Sequence, residues 1–177
     1  KLTRLNAKGR KVVFAWAYER ERPQSSQVAD REVAWTERVQ VVRSLELAKR
    51  QATHLEERLC AAATALRDLT PPVGRGHKQY REQGPLRAAA TAILQEHEVE
   101  GLLTVTWERE VQRKTRYRGS GRGGPGRPKY TTTKVRYVIT EVQRNETAIQ
   151  QTKARQGWRV QVTNLPASRW SLREAVL

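Results

Sequence analysis

The sequence predicts an α+β fold, and three observations lead there. Compact apolar runs rich in β-branched and aromatic residues stand near both ends of the chain. One narrow apolar stripe, spaced alternately by three and four residues, runs through positions 45–69. Two long segments of alternating apolar and polar residues flank a stretch dense in glycine, RYRGSGRGGPGRPKY.

Positions 1–43 are expected to form N-terminal strands. Residues 12–18 (VVFAWAY) read as a strand. Residues 19–31 are polar, contain Pro23, Ser25 and Ser26, and read as a loop. Residues 33–43 (VAWTERVQVVR) return to strand character, with Val39 and Val41 on one face and Arg38, Gln40 and Val42 on the other.

Positions 44–98 are expected to form a helical hairpin. Ser44 offers an N-cap. The stripe that follows is Leu45, Ala48, Ala52, Leu55, Leu59, Ala62, Leu66 and Leu69, the pattern of a seam against one partner helix. Pro71 and Pro72 end the helix, since proline lacks a donor and clashes with the preceding turn. Pro85 fits the first turn of a second helix, whose apolar face is Leu86, Ala90, Ile93, Leu94 and His97. The two helices are expected to pack antiparallel, with the basic stretch VGRGHKQYREQ at the tip. Cys60, the only cysteine, sits among alanines and reads as a small buried hydrophobe. A lone cysteine excludes a disulfide framework or a thiolate zinc site within the chain, which suits a cytosolic setting. His54 has no histidine or cysteine one helical turn away to make a metal pair.

Positions 99–145 are expected to form a basic β-hairpin. From Gly101 onward, Leu103, Val105, Trp107 and Val111 alternate with Thr104, Thr106, Glu108 and Glu110. The second strand, about 130–143, carries Val135, Tyr137 and Ile139 on one face. Positions 146–177 hold a short helix capped by Asn145 and terminated by Gly157. A strand with Trp158, Val160 and Val162 on one face follows, and then the start of a last helix. Ser171 and Glu174 have the spacing of a capping box there.

Charge narrows the function. Lys and Arg number 34 against 18 Asp and Glu, a net +16. Such an excess favours a polyanionic partner, above all nucleic acid, where neutralising phosphates releases counterions. No apolar run approaches membrane-spanning length and no signal-peptide pattern opens the chain. Between positions 111 and 140 stand nine Lys or Arg and no acid. The DNA-backbone candidates are Arg113, Lys114, Arg116, Arg118, Arg122, Arg127 and Lys129 in the hairpin, with Arg75 and Lys78 in the loop between the helices. Glycines at 119, 121, 123, 124 and 126 let backbone amides approach a phosphate, and Tyr117 and Tyr130 flank the loop where a sugar or base could lie. Contacts of this kind position a duplex without reading its sequence. A nucleotide-binding phosphate loop is excluded: GRGGPGRP lacks the terminal Gly-Lys-Ser/Thr and joins two strands.

Catalytic chemistry is not evident. The only aspartates are Asp30, in the polar loop, and Asp68, near a helix end. Two-metal phosphoryl transfer needs several carboxylates converging on its ions. Glu108 and Glu110 are expected to pair with Arg109 or Arg113. His54, His77 and His97 lack a nucleophile motif, although His77 lies where it could touch phosphate. No catalytic or metal-ligating residue is assigned.

Four segments together carry a resemblance: WTERVQVVRSLELAKRQATHLEERLCAAATALRDLTPP, EVEGLLTVTWEREV, RGGPGRP and GWRVQVTNLPASRWSLREAVL. In this order they resemble bacterial insertion-sequence transposases of the DDE class, in the group with a Tyr–Arg–Glu–Lys signature. The resemblance runs from Trp35 to Leu177 and is most specific at LRDLTPPVGRG, Gly157–Asn164 and Ser171–Leu177. It implies a ribonuclease-H-like core, present here in part, with the helical hairpin and the long β-hairpin as insertions. It also implies a carboxylate triad that binds divalent metal, normally magnesium, and performs DNA transposition. The two aspartates of that triad would precede the matched region, and its glutamate would follow Leu177. Glu174 matches the cap of the glutamate helix, not the catalytic position. The chain is accordingly expected to be a middle piece of such an enzyme from a bacterial cytoplasm, without metal-binding carboxylates of its own. The absence of methionine fits that expectation. Two other readings are a stand-alone basic module for RNA or single strands and an inert remnant. An incomplete core would leave Trp35, Trp107 and Trp158 partly exposed and favour self-association.

Overall fold

The computed structural model describes residues 1–118 and 126–174. These form a mixed α/β protein with three helices and two antiparallel sheets. In chain order the elements are β1 (Leu2–Leu5), β2 (Lys11–Val28), β3 (Arg31–Ser44), α1 (Leu45–Asp68), α2 (Gln83–Glu96), β4 (Leu103–Tyr117), β5 (Lys129–Arg144), α3 (Glu146–Ala154) and β6 (Trp158–Thr163). The chain divides into two compact units, one of Lys1–Leu55 with Gln150–Leu177, the other of Glu56–Ile149.

The first unit is built on a four-stranded sheet in the order β1-β2-β3-β6, with every neighbouring pair antiparallel. Its main feature is a hairpin that pairs without interruption from Ala15↔Ser44 to Val28↔Arg31. The stretch 19–28, expected as a loop, is strand. The turn is only Ala29 and Asp30, with φ of 46° and 62°. Two positive φ values match the turn twist that antiparallel strands require. Cross-strand pairs hold the polar part together: Arg22 donates to Glu37 at 2.9 Å, and Arg38 donates to Glu19 at 2.7 Å. Pro23 is tolerated because β1 pairs with β2 only as far as Ala15, leaving the outer edge at Pro23 without a partner strand.

The covered face of this sheet is unusual. Ala15 and Val42 form its small core, with Leu2, Phe14, Ala17 and Leu172 packed against them. Beside that core, on the same face, Arg38 and Gln40 are also buried, at 4% and 1% exposure. A guanidinium out of water must have its donors matched. Arg38 meets this need through Glu19 Oε1 and Oε2 at 2.7 and 2.9 Å and the carbonyls of Leu165 and Trp170 at 2.8 and 2.9 Å. It thus ties the hairpin to the segment that follows β6. That segment makes the expected capping box: the Ser171 amide donates to Glu174 Oε2 at 2.7 Å, and the Glu174 amide to Ser171 Oγ at 3.3 Å. The expected last helix runs into 175–177, which lie outside the described residues. The opposite sheet face exposes Trp16, Tyr18, Trp158, Val160 and Val162, and Trp35 is also exposed. Trp107, in the second unit, is half-buried.

Ser44 caps α1 as expected, accepting from the Leu47 amide at 3.3 Å. Gly157 lies against this helix start with φ +83°, and its carbonyl accepts from the Ser44 amide at 2.9 Å. A Cβ there would stand 2.6 Å from the Ser44 carbonyl oxygen and 2.7 Å from the Ala48 methyl.

In the second unit, Leu59, Ala62, Leu66, Leu86 and Ala90 from the two predicted stripes are buried, with Val99, Leu102, Leu103, Val138 and Ile149. Each fully buried leucine contributes about 1.5–3 kcal/mol. Cys60 is exposed, contrary to expectation, because it follows Leu59 by one residue and so points about 100° away from the stripe. The β4–β5 ribbon pairs from Leu103↔Arg144 to Tyr117↔Lys129. Thr106 pairs with Glu141 and Trp107 with Ile139, so Thr140 is an extra residue, a β-bulge. The Thr140 hydroxyl donates to the Thr106 carbonyl at 3.3 Å. Arg144 joins Glu56 at 2.8 Å and Glu146 at 2.7 Å. Asn145 caps α3 through the Ala148 amide at 3.1 Å.

Two outcomes are expected. Gly157→Ala should lower stability by more than about 1 kcal/mol, through its positive φ and the blocked approach to Ser44; urea melts would read the loss. Acid should loosen the first unit. The Arg38 hydrogen bond holds the Glu19 carboxyl below 4.5, against the opposing effect of burial. Arg22 does the same for Glu37, and the Ser171 amide for Glu174. A lowered folded-state pKa gives stability that is present above about 4.5 and lost as pH falls through the lowered values. Tryptophan emission should therefore shift below pH 4.5, and Glu19→Gln should flatten that acid limb.

Candidate nucleic-acid interface

Two basic segments far apart in sequence meet in the second unit. The loop 69–82 after α1 runs along the outer edge of β5. The Tyr137 amide donates to the Tyr80 carbonyl at 2.8 Å, and the Ile139 amide to Thr70 Oγ1 at 3.1 Å. Edge strands need such cover, since their free amides would otherwise pair with other chains. Arg136 completes the attachment. Its Nε donates to Glu110 Oε2 at 2.7 Å, and its Nη1 to Gln79 Oε1 at 3.1 Å and the Pro71 carbonyl at 3.5 Å. Glu110 therefore pairs across the ribbon with Arg136, not with Arg109 or Arg113, because the register places Glu110 directly opposite Arg136.

The nominated cations fall into several settings. Arg113, Lys114 and Arg116 are exposed on β4, and Arg118 is exposed just beyond it, its amide donating to the Pro128 carbonyl at 2.9 Å. Lys129, also exposed, holds its ammonium 5.2 Å from the Tyr117 ring centre. Arg127 is half-buried and engaged with neighbours. Arg122 lies in 119–125, outside the described residues, as do the glycines at 119, 121, 123 and 124. Arg75 and Lys78 are exposed in the docked loop, and the Lys78 ammonium sits 4.8 Å from the Tyr80 ring centre. His77 Nδ1 lies 3.0 Å from the Pro72 carbonyl, which occupies one ring nitrogen in shaping the loop.

Sequence reasoning passed over part of this surface. A cleft of about 120 Å³ lies where loop and ribbon meet, lined by Val73, Gln79, Arg81, Gln112, Lys134, Val135 and Arg136. Arg81 and Lys134 have no carboxylate partner among the described residues. Opposition of Glu110 and Arg136 was the available signal, but it needs the strand register, and the bulge at Thr140 conceals that.

Among the described residues no three His, Cys, Asp or Glu side chains gather into a site. Asp30 forms a hairpin turn in one unit, and Asp68 ends α1 in the other. This donor set does not fit a two-metal centre. Among the described residues no helix is long and apolar enough to cross a membrane.

No protein-family model matches the chain, and no curated protein or solved structure does either.

If Arg136 fixes the loop, Arg136→Met should speed hydrogen exchange at the Tyr137 and Ile139 amides, the two that bond to the loop. Unchanged protection there would mean that these two hydrogen bonds hold the loop without it.

Proposed function

We propose that the chain binds DNA through its phosphate backbone and does so as part of an insertion-sequence transposase of the DDE class. The observation that carries the binding reading is the docking of the basic loop 69–82 onto the basic ribbon. It puts Arg75, Lys78, Lys114 and Arg116 in one unit, with no acid paired to them among the described residues. Like charges held together repel one another unless a polyanion neutralises them. The transposase part rests on the sequence resemblance. It is supported by β6 leading into the Ser171–Glu174 capping box, as the approach to a glutamate helix requires. In this reading the four-stranded sheet belongs to a ribonuclease-H-like core, and the second unit is the insertion that grips DNA. The catalytic carboxylates and their magnesium would act elsewhere in such an enzyme.

Gel shifts with duplex DNA at several salt concentrations test the binding. Affinity should fall steeply with salt, and Lys114→Gln with Arg116→Gln should reduce the log–log slope by about 2. Absence of binding at low salt, or a clear preference for RNA, would count against the proposal. Supercoiled DNA incubated with the chain and Mg²⁺ or Mn²⁺ should stay uncut; metal-dependent nicking by pure protein would show a competent centre.

A further inference from the structure

The β4–β5 ribbon has two faces, and they differ in chemistry. Side chains alternate along each strand, and directly opposed residues share a face. One face carries the pairs Glu110↔Arg136, Gln112↔Lys134, Lys114↔Thr132 and Arg116↔Tyr130. The other carries Val111↔Val135, Arg113↔Thr133, Thr115↔Thr131 and Tyr117↔Lys129.

On the second face Arg113 is the one exposed cation of the four pairs without an ion pair or ring contact among the described residues, and much of the remaining polar chemistry is engaged. Lys129 lies over Tyr117, and the hydroxyls of Thr115 and Thr131 meet at 3.2 Å. On the first face, Lys114, Arg116 and Lys134 have no carboxylate partner among the described residues. The Tyr130 ring stands opposite Arg116 at 48% exposure. Within these four pairs the acid is Glu110, which neutralises Arg136, and Arg136 in turn brings in Gln79; Glu108 and Glu141 lie further along the same face. The cleft with Arg81 and Lys134 therefore continues the row of cations.

We infer that DNA binds to this one face, and that Arg81, Lys134 and Tyr130 belong to the site while Arg113 and Lys129 do not. The inference rests on the backbone-binding proposal and narrows it. A two-residue step along a strand is about 6.7 Å, twice the axial rise per phosphate of one DNA strand, so the cations can follow a phosphodiester backbone. In the cleft, the Gln112 amide adds a neutral donor beside the two cations, a set suited to phosphate oxygens, while the Gln79 amide is engaged by Pro71 and Arg136. Tyr130 offers a ring for a sugar or base.

Two double variants with equal loss of charge test this against one duplex of mixed sequence. Arg81→Gln with Lys134→Gln should weaken binding about tenfold at moderate salt and reduce the salt slope by about 2. Arg113→Gln with Lys129→Gln should change affinity less than about twofold, since it lowers only the general field. Thermal melts confirm that both variants fold. Equal losses in the two variants, or the larger loss in the second, would overturn the one-faced site while leaving backbone binding intact. A wild-type chain that fails to bind at low salt would instead overturn the underlying proposal.

Discussion

The ion pair between Glu110 and Arg136 decides where the second unit keeps its charge. Arg136 is partly withdrawn from water, and its other donors reach Gln79 and Pro71. Without that pair, the loop after α1 would keep only its bonds to Tyr137 and Ile139. With it, a flexible basic segment becomes a fixed border to a basic ribbon. A surface pair in open solvent contributes little, but one that also gathers amide and carbonyl partners sets geometry.

The same economy runs through the molecule. With 18 acids against 34 bases, 34 − 18 = 16 cations have no carboxylate of their own even if every acid is paired. The carboxylates are placed where an arginine has structural work: Glu19 at Arg38, Glu37 at Arg22, Glu56 and Glu146 at Arg144. Arg144 is consequently held in its charged form even more firmly than usual. Acids therefore cluster at joints, and the outer ribbon is left basic. That division separates cations that build the fold from cations left exposed on the ribbon.

Much of the fold was legible in the sequence, for local reasons. The stripe of α1, the caps at Ser44 and Asn145, the positive φ at Gly157 and the alternation of β4 depend on neighbours within a few residues. The far half of β2 was not legible. Its residues are polar on both faces and include Pro23, and only pairing with β3 makes them a strand. Buried Arg38 and Gln40 escaped notice because a polar residue in a strand normally faces water, and their partners lie on β2 and beyond β6. At the site, the wealth of cations was plain, whereas their sorting into engaged and available depended on register. Glu110 could not be matched to Arg136 without knowing how the two strands align.

That alignment turns on Thr140. Below it, positions on β5 face one way; above it, the extra residue reverses the phase, so Lys134 and Arg136 lie on the face of Glu110 and Gln112. Drawn into the ladder opposite Trp107, this one uncharged residue would shift every later pair by one position, setting Tyr137 opposite Glu110 and Val135 opposite Gln112. By standing outside the ladder it absorbs the odd residue, and Lys134 and Arg136 keep their side. A chain one residue shorter here would hold the same pairs with no bulge at all. Length at this point can therefore vary by one without moving any charge to the other side of the ribbon.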